Sequence, residues 1–451
     1  MSENPSLVEE FDQWLDENWD DSLTVGEWWE RLGTSGWAAP SLPEHAYGRG
    51  LSRSDAQIVA RRLAERRILG PPSGLGMLSA APTIAAYGNA EQIEAFVRPI
   101  VTGQAAWCQL FSEPGAGSDL AGLSTRAVLD GDTWVINGQK VWTSSAHLAD
   151  YGMLLARTDP SAPRHEGISW LGIDMRQGAA IEVRPLREMT GKSQFSEVFL
   201  DDARSPTAWV VGGVNNGWKV ANATLAAERT GLGAGGHGGV LAAPGSRVGN
   251  LDKPVASFGT RRMRTGRDGA AGMVVAALER TRQLAAESGR IQDPPLRDRL
   301  VRLHMVQEVA RLLGLRVRAA RSAGRDIPGA INISKLLMSD IVTQAGDLSM
   351  TVLGAQGMLH AYDGRSRAVL DSIVGCPENA VITELAIFAP APPIYGGTDE
   401  IQKNIIAERV LGLPRDKPAE RTASAGRPKP ALAAADAAPA RRSAPANAME
   451  E

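Results

Sequence analysis

The chain has 451 residues, a formal net charge of −3, 43% hydrophobic and 22% charged residues, and two cysteines. That length exceeds one hydrophobic core and predicts two or three packed domains of ordinary globular composition. The small net charge gives no reason to expect nucleic acid or an anionic membrane surface as partner, and Cys108 and Cys376 are too few for a disulfide framework.

From Met1 the chain begins acidic and polar, without the basic start and apolar run of a secretion signal. No uninterrupted apolar stretch is long enough to span a bilayer, so the expected location is cytoplasmic. Residues 1–105 read as a helical domain. Ser54-Asp55 predicts a helix start, Ala56, Val59 and Leu63 recur at helical spacing, and Gly70-Pro71-Pro72 stops the run. Pro40 to Gly50 reads as loop. Residues 106–214 read as a small antiparallel β-domain. Thr125–Leu129 and Thr133–Ile136 flank Asp130-Gly131-Asp132, a hairpin signal, and Asn137-Gly138 predicts another tight turn. Gly152–Arg157, Ile168–Asp174 and Val198–Leu200 read as further strands.

Residues 215–415 read as helical again, with Trp218, Ala221, Leu225 and Leu232 on one apolar face. A glycine-rich insertion at 231–272 makes regular helix costly and is long for a connecting loop. Helical spacing resumes over Met273–Ala286, Leu296–Ala323, Asn332–Leu353 and Ile401–Leu411. The tail, 416–451, is mostly Ala, Pro, Arg, Ser and Glu, and disorder is expected of it. The fold class is α+β: an N-terminal helical domain, a middle β-domain and a C-terminal helical bundle.

Three strings stand in order along this frame: Phe111-Ser-Glu-Pro-Gly-Ala-Gly-Ser-Asp119, Gly138-Gln-Lys-Val-Trp-Thr-Ser-Ser145 and Tyr395-Gly-Gly-Thr-Asp-Glu-Ile-Gln402. Together they resemble the FAD-dependent acyl-CoA dehydrogenases, over roughly residues 5–415. The resemblance implies the helix–β–helix fold and an oxidation of acyl-CoA to trans-2-enoyl-CoA. A carboxylate would take the α-proton and FAD the β-hydride, with an electron-transfer flavoprotein as acceptor. It further implies that Gln109, Phe111 and Ser112 line the flavin and that Ser118 faces the CoA part of the substrate. Trp142 would pack on the ring, with Thr143 and Ser144 bonding its edge. Thr351, Gly354 and Ala355, in Thr-Val-Leu-Gly-Ala-Gln-Gly357, would touch the adenylate half of FAD from a neighbouring subunit. Thr398 and Glu400 fall where relatives hold the pyrophosphate. The structural reading of the same residues is a helix C-cap at Gly354 and a helix N-cap at Thr398.

Many relatives carry their base as a glutamate after the tyrosine of the last string, where this chain has Gly396. Isovaleryl- and long-chain-type relatives place it just before an arginine on the first helix after the β-domain. Leu225-Ala-Ala-Glu-Arg-Thr230 matches that position, which makes Glu228 the expected catalytic base, with Arg229 ordering the loop that carries Gly396. Gly396 beside Gly397 removes volume from the acyl pocket and suggests a substrate that is bulky or branched near the carbonyl. The Phe-Gly that relatives carry after an FAD-reaching arginine is missing around Arg290, in Glu287-Ser-Gly-Arg-Ile-Gln-Asp-Pro-Pro295. The insertion is either part of the substrate cleft or a surface loop. A homo-oligomer is expected, dimer or tetramer. Two alternatives stand beside the dehydrogenase: a non-catalytic half of a heteromeric dehydrogenase, and an acyl-CoA oxidase. His147 and Cys108 read as packing residues, and no His/Cys cluster has metal-ligand spacing.

Overall fold

The computed structural model describes residues 4–232, 242–259 and 270–414, without the side chains of Arg229, Thr230, Leu232, Ala270, Ala271, Arg321 and Ser322. The tail beyond 414 and the remainder of the glycine-rich insertion lie outside the described residues. Helices α1 (Pro5–Asn18), α2 (Val25–Thr34) and α3 (Arg53–Glu65) lead into α4 (Ala81–Tyr87), α5 (Ala90–Gln92) and α6 (Arg98–Val101). Single π-turns, Gly76–Ala80 and Ile93–Val97, precede α4 and join α5 to α6. The start of α3 corrects the Ser54-Asp55 expectation. Ser52 is the N-cap, because its hydroxyl stands three residues before Asp55 and accepts from that backbone N–H at 3.1 Å.

Eight strands form one sheet: β1 (Trp107–Leu110), β2 (Arg126–Asp130), β3 (Thr133–Ser144), β4 (Tyr151–Arg157), β5 (Ile168–Asp174), β6 (Ile181–Leu186), β7 (Phe195–Pro206) and β8 (Val210–Val211). Their order is β6-β7-β3-β2-β4-β5-β8, with β1 also on β4. The sheet is antiparallel as expected except along β4, where β1 and β2 both pair in parallel. They sit end to end along one edge of β4, at Tyr151–Leu154 and at Arg157, so the segment between them must leave the sheet and return. That excursion is the string Phe111–Asp119.

Asn137-Gly138 is not a turn. It lies within β3, where the register against β7 shifts. Asn137 exchanges side-chain bonds of 2.9 Å with the backbone and side chain of Asp202, which has φ +50°. Gly138 is there for close approach, since a Cβ would stand 2.4 Å from Thr125 Oγ1.

Strands β4 and β5 are buried on both faces, which explains their unbroken apolar runs. Met153, Leu155 and Trp170 face the N-terminal helices, while Leu154, Ala156 and Leu171 face a second cluster with Cys108, Leu110, Ile136 and Val198. A third cluster unites the C-terminal helices α9 (Ala270–Glu287), α11 (Ala330–Leu353) and α13 (Ala380–Phe388) with α10 (Pro294–Ser322), through Leu278, Leu303, Leu348 and Leu385. Completing the chain are α7 (Gly217–Leu232), the single turn α8 (Ala256–Gly259), α12 (Gly364–Val374) and α14 (Asp399–Ile405).

The described part of the insertion, 242–259, is strapped to the N-terminal domain and is no loose surface loop. Val25 N–H donates to Lys253 O (2.9 Å), Gly26 N–H to Leu251 O (2.8 Å) and Val255 N–H to Leu23 O (2.9 Å). Ala242 and Val255 are buried in the N-terminal core. Buried Asp150 accepts from Ala106 N–H (2.9 Å), from Ser246 N–H (3.1 Å) and from the Ser246 hydroxyl. Among the described residues no helix is long and apolar enough to cross a membrane.

Candidate active site

The first two strings are locked together by backbone and charge. Val141 N–H donates to Ser112 O (2.9 Å), and Lys140 Nζ donates to Phe111 O (3.2 Å) and pairs with Glu113 (2.8 Å). Both charged side chains are almost wholly buried. Glu113 also accepts from Ser124 N–H (2.6 Å), Ser124 Oγ (2.7 Å) and Thr125 N–H (2.9 Å). Burial works to raise the Glu113 carboxyl, but the Lys140 charge and these donors outweigh it and hold the group at about 2. Burial pulls the Lys140 ammonium down to about 8 against the attraction of Glu113.

Alternation along β1 sets which side chains look toward α7. Trp107 and Phe111 belong to the cluster with the N-terminal helices, Cys108 and Leu110 to the opposite one, so Gln109 shares the side of Trp107. On α7, Val220 and Ala221 are buried, and Thr224 bonds Thr83 across to α4 at 3.1 Å. Glu228 follows Thr224 by one turn and extends the same stripe. It is half-buried, and Gln109 Nε2 donates to its Oε2 at 3.4 Å. Oε1 of Gln109 is buried with no hydrogen-bond partner.

Trp142 stands at the kink of β3 with φ +60°, 60% exposed, its ring edge-on to Phe195 at 5.8 Å. Thr143 pairs with Ser196 and Ser144 with Phe195. Ser196 lies two residues before Val198, whose side chain is in the inner sheet cluster, so the Thr143 hydroxyl faces inward and Ser144 outward. The hydroxyls of Thr143 and Ser196 are buried without partners. The outward surface, with an open indole and the Ser144 hydroxyl, suits a planar ring with hydrogen-bonding edges. Thr143 borders that surface by its backbone alone.

The C-terminal expectations fall in two places. Thr351 closes α11, where Arg290 Nη1 donates to its carbonyl (2.8 Å) and Arg299 Nη1 to its hydroxyl (3.1 Å). Arg290 therefore serves this helix end. Gly354 (φ +65°) is the C-cap, and Ala355 beside it is exposed. Thr398 caps α14 by accepting from Ile401 N–H at 3.2 Å, with Glu400 exposed in the first turn. Asp399 is held by Lys335 (2.6 Å) and Ser339 (2.9 Å) of α11. Lys335 and Thr351 are 16 positions apart on one helix, about 24 Å along its axis. One protomer thus keeps the Thr351 group and the Thr398 group far apart. Gly396 (φ +65°) and Gly397 (φ +82°) precede Thr398, and a Cβ at Gly396 would meet nothing within 4 Å. Gln402 shapes this turn by donating to the carbonyls of Gly396 (3.0 Å) and Gly397 (3.3 Å). Ser118 is exposed on its loop, and the Arg229 side chain lies outside the described residues.

Three family models match in sequence: the N-terminal domain of acyl-CoA dehydrogenase over residues 7–104, its middle domain over 108–203 and its C-terminal domain over 256–411. The chain belongs to the acyl-CoA dehydrogenase family. It is 36% identical over 389 residues to acyl-CoA dehydrogenase IpdE1 of Mycobacterium tuberculosis, covering 86% of this chain and 88% of that protein. It is 38% identical to FadE34 of the same organism over 85% of this chain, but spans only 46% of that longer relative. Among solved structures, the ChsE4-ChsE5 complex from Mycobacterium tuberculosis matches with a TM-score of 0.63 and 27% identity, over 92% of this chain and 100% of that chain. The Tcur3481-Tcur3483 steroid ACAD matches with a TM-score of 0.64 and 25% identity, over 92% and 99%.

In this acyl-CoA dehydrogenase family member, sequence reasoning passed over Lys140 and Glu113, which hold the two strings at the site in register. A lysine within a strand that closes on the core, and a glutamate in a glycine-rich turn, were the available signals. Cys108 is buried, and burial pushes its thiol up to about 12, which suits packing and not nucleophilic chemistry. His147 is exposed. Among the described residues no group of three or more His, Cys, Asp or Glu could hold a metal ion.

Proposed function

We propose that the protein dehydrogenates an acyl-CoA thioester to the trans-2-enoyl-CoA, with Glu228 as the base that takes the α-proton. The position of Glu228 supports this reading above all. It sits on the inward stripe of α7, half-buried, 3.4 Å from the first residue of the proposed flavin segment. Gly396 has no side chain to compete for the role. Gln109, Phe111, Ser112, Trp142 and Ser144, with the backbone of Thr143, would hold the ring of FAD. The chemistry a bound flavin supplies is acceptance of the hydride that leaves Cβ. An electron-transfer flavoprotein is the proposed acceptor.

Thr398 and Glu400 are proposed to serve the pyrophosphate, and Thr351, Gly354 and Ala355 the adenylate half of FAD in a neighbouring subunit. Their separation along α11 favours use at different sites. Ser118 would lie along the CoA, and Arg229 would steady the Gly396 turn. The open space at Gly396 and the steroid ACAD among the similar structures favour a bulky acyl group.

Anaerobic bleaching of the flavin by a panel of acyl-CoAs tests the proposal. Branched or polycyclic acyl groups should bleach it faster than short straight ones. Glu228→Gln should slow bleaching at least about 100-fold, the lower range for loss of a general base. Unchanged bleaching in the variant rejects Glu228.

A further inference from the structure

Proton abstraction turns a carboxylate into a carboxylic acid, so a base needs a donor beside it before the step and an acceptor afterwards. A carboxamide offers both. Gln109 presents Nε2 to Glu228 Oε2 at 3.4 Å, while its Oε1 is buried and unsatisfied. A buried unpaired carbonyl is costly to retain in a folded chain. Its place beside the carboxylate gives it a use.

We infer that Gln109 is a positioning residue for Glu228, donating to the carboxylate before proton abstraction and accepting from the carboxylic acid afterwards; this rests on the reading of Glu228 as the base. The strand enforces the arrangement. Gln109 is held in register with Met153 of β4, and its neighbours Cys108 and Leu110 are packed into the opposite cluster. Thr224, one turn earlier on α7, is tied to Thr83, which fixes the helix facing β1.

Ionisable groups on the elements around this pair have contacts of their own. Among the described residues of the π-turn 76–80, α4 and β5, all packed against α7, the ionisable side chains are Tyr87 and Asp174. Lys219 Nζ lies over the Tyr87 ring at 5.8 Å, more than two turns of α7 before Glu228, and Asp174 binds Arg176 at 2.8 Å. On β1 itself Cys108 points to the far cluster, and the Glu113–Lys140 pair beyond it is closed on itself.

The test uses full-length, flavin-loaded protein with rates normalised to flavin content. Gln109→Met keeps length and removes both polar functions. It should lower kcat about tenfold, equivalent to about 1.4 kcal/mol, with KM within about twofold. The acid limb of kcat/KM should move to higher pH, because the lost donor favoured the charged base. Gln109→Glu sets a second carboxylate against the first and should move the limb further. Infrared titration of the Glu228 carboxylic-acid band, assigned by its loss in Glu228→Gln, should follow the same order in flavin-free protein. An unchanged profile and unchanged band in Gln109→Met overturn the inference while leaving the base intact. Full turnover in Glu228→Gln removes the base instead, and the band in Gln109→Met then still decides whether the amide holds the carboxylate.

Discussion

Lys140 keeps its ammonium fully buried, 2.8 Å from Glu113, at the crossing of the two strings that border the site. Removing one partner leaves a charge in an apolar interior. Lys140→Met should therefore cost about 3–5 kcal/mol in urea denaturation, and adding Glu113→Gln should recover part of the loss. Acid acts on the same pair. The Glu113 carboxyl is held at about 2, below its ordinary value, so its stabilising contribution is present above the ordinary carboxylate range and is lost as pH falls toward 2. Retained flavin followed from pH 7 downward should survive mild acid and fail only below the ordinary carboxylate range. The glycine pair makes a second contrast. Gly396→Ala has open space but a left-handed backbone, and should cost about 1 kcal/mol by thermal denaturation. Gly397→Ala should cost more, because its Cβ would stand 2.6 Å from Gln402 Nε2 and dislodge the bonds that shape the turn.

Among elements, the strap 242–259 follows the helix that bears Glu228 and closes on the loop before α2 and on Asp150. Gly245 has φ +102°, and a Cβ there would come within 2.6 Å of Ala106 Cβ and 2.8 Å of Asp150 Oδ2. Hydrogen exchange across 242–259 should rise modestly in Ser246→Ala and much more in Gly245→Ala; equal protection in both variants would show that the strap is held elsewhere. Legibility in the sequence varied with the element. Long helices such as α9, α10 and α11 were readable from apolar spacing. Edge strand β6 was not, because Glu182, Arg184 and Pro185 break its apolar pattern. Nor was α12, which has no buried residue to mark an inward face. Asn137-Gly138 was misread because a bulge and a turn favour the same residues. The strings bordering the site were legible as local runs. The contacts that assemble them were not, since Lys140 and Glu113 are 27 positions apart and Gln109 and Glu228 are 119 apart.

Among the described residues, an apolar stripe is left uncovered. Val301, Met305, Val309, Leu312 and Leu315 recur every three or four positions along α10, each more than 40% exposed. Single exposed apolar residues are ordinary, but an aligned row of this length suits burial against another chain. The row agrees with the proposal that Thr351 and Thr398 serve different flavins. Met305→Glu with Leu312→Glu should shift the protein to a smaller species in light scattering and lower its flavin content together. A dissociated species with full flavin would separate assembly from cofactor binding.

The two-residue rhythm of β1 carries a further consequence. Carboxamide and thiol are consecutive there, one turned toward Glu228 and one away. A nascent chain that seats this strand one step out of line would offer sulfur to Glu228 and drive an amide into grease. Such a molecule could keep the same outline and be chemically mute. Faithful seating of four residues against β4 is thus a condition for the proposed chemistry.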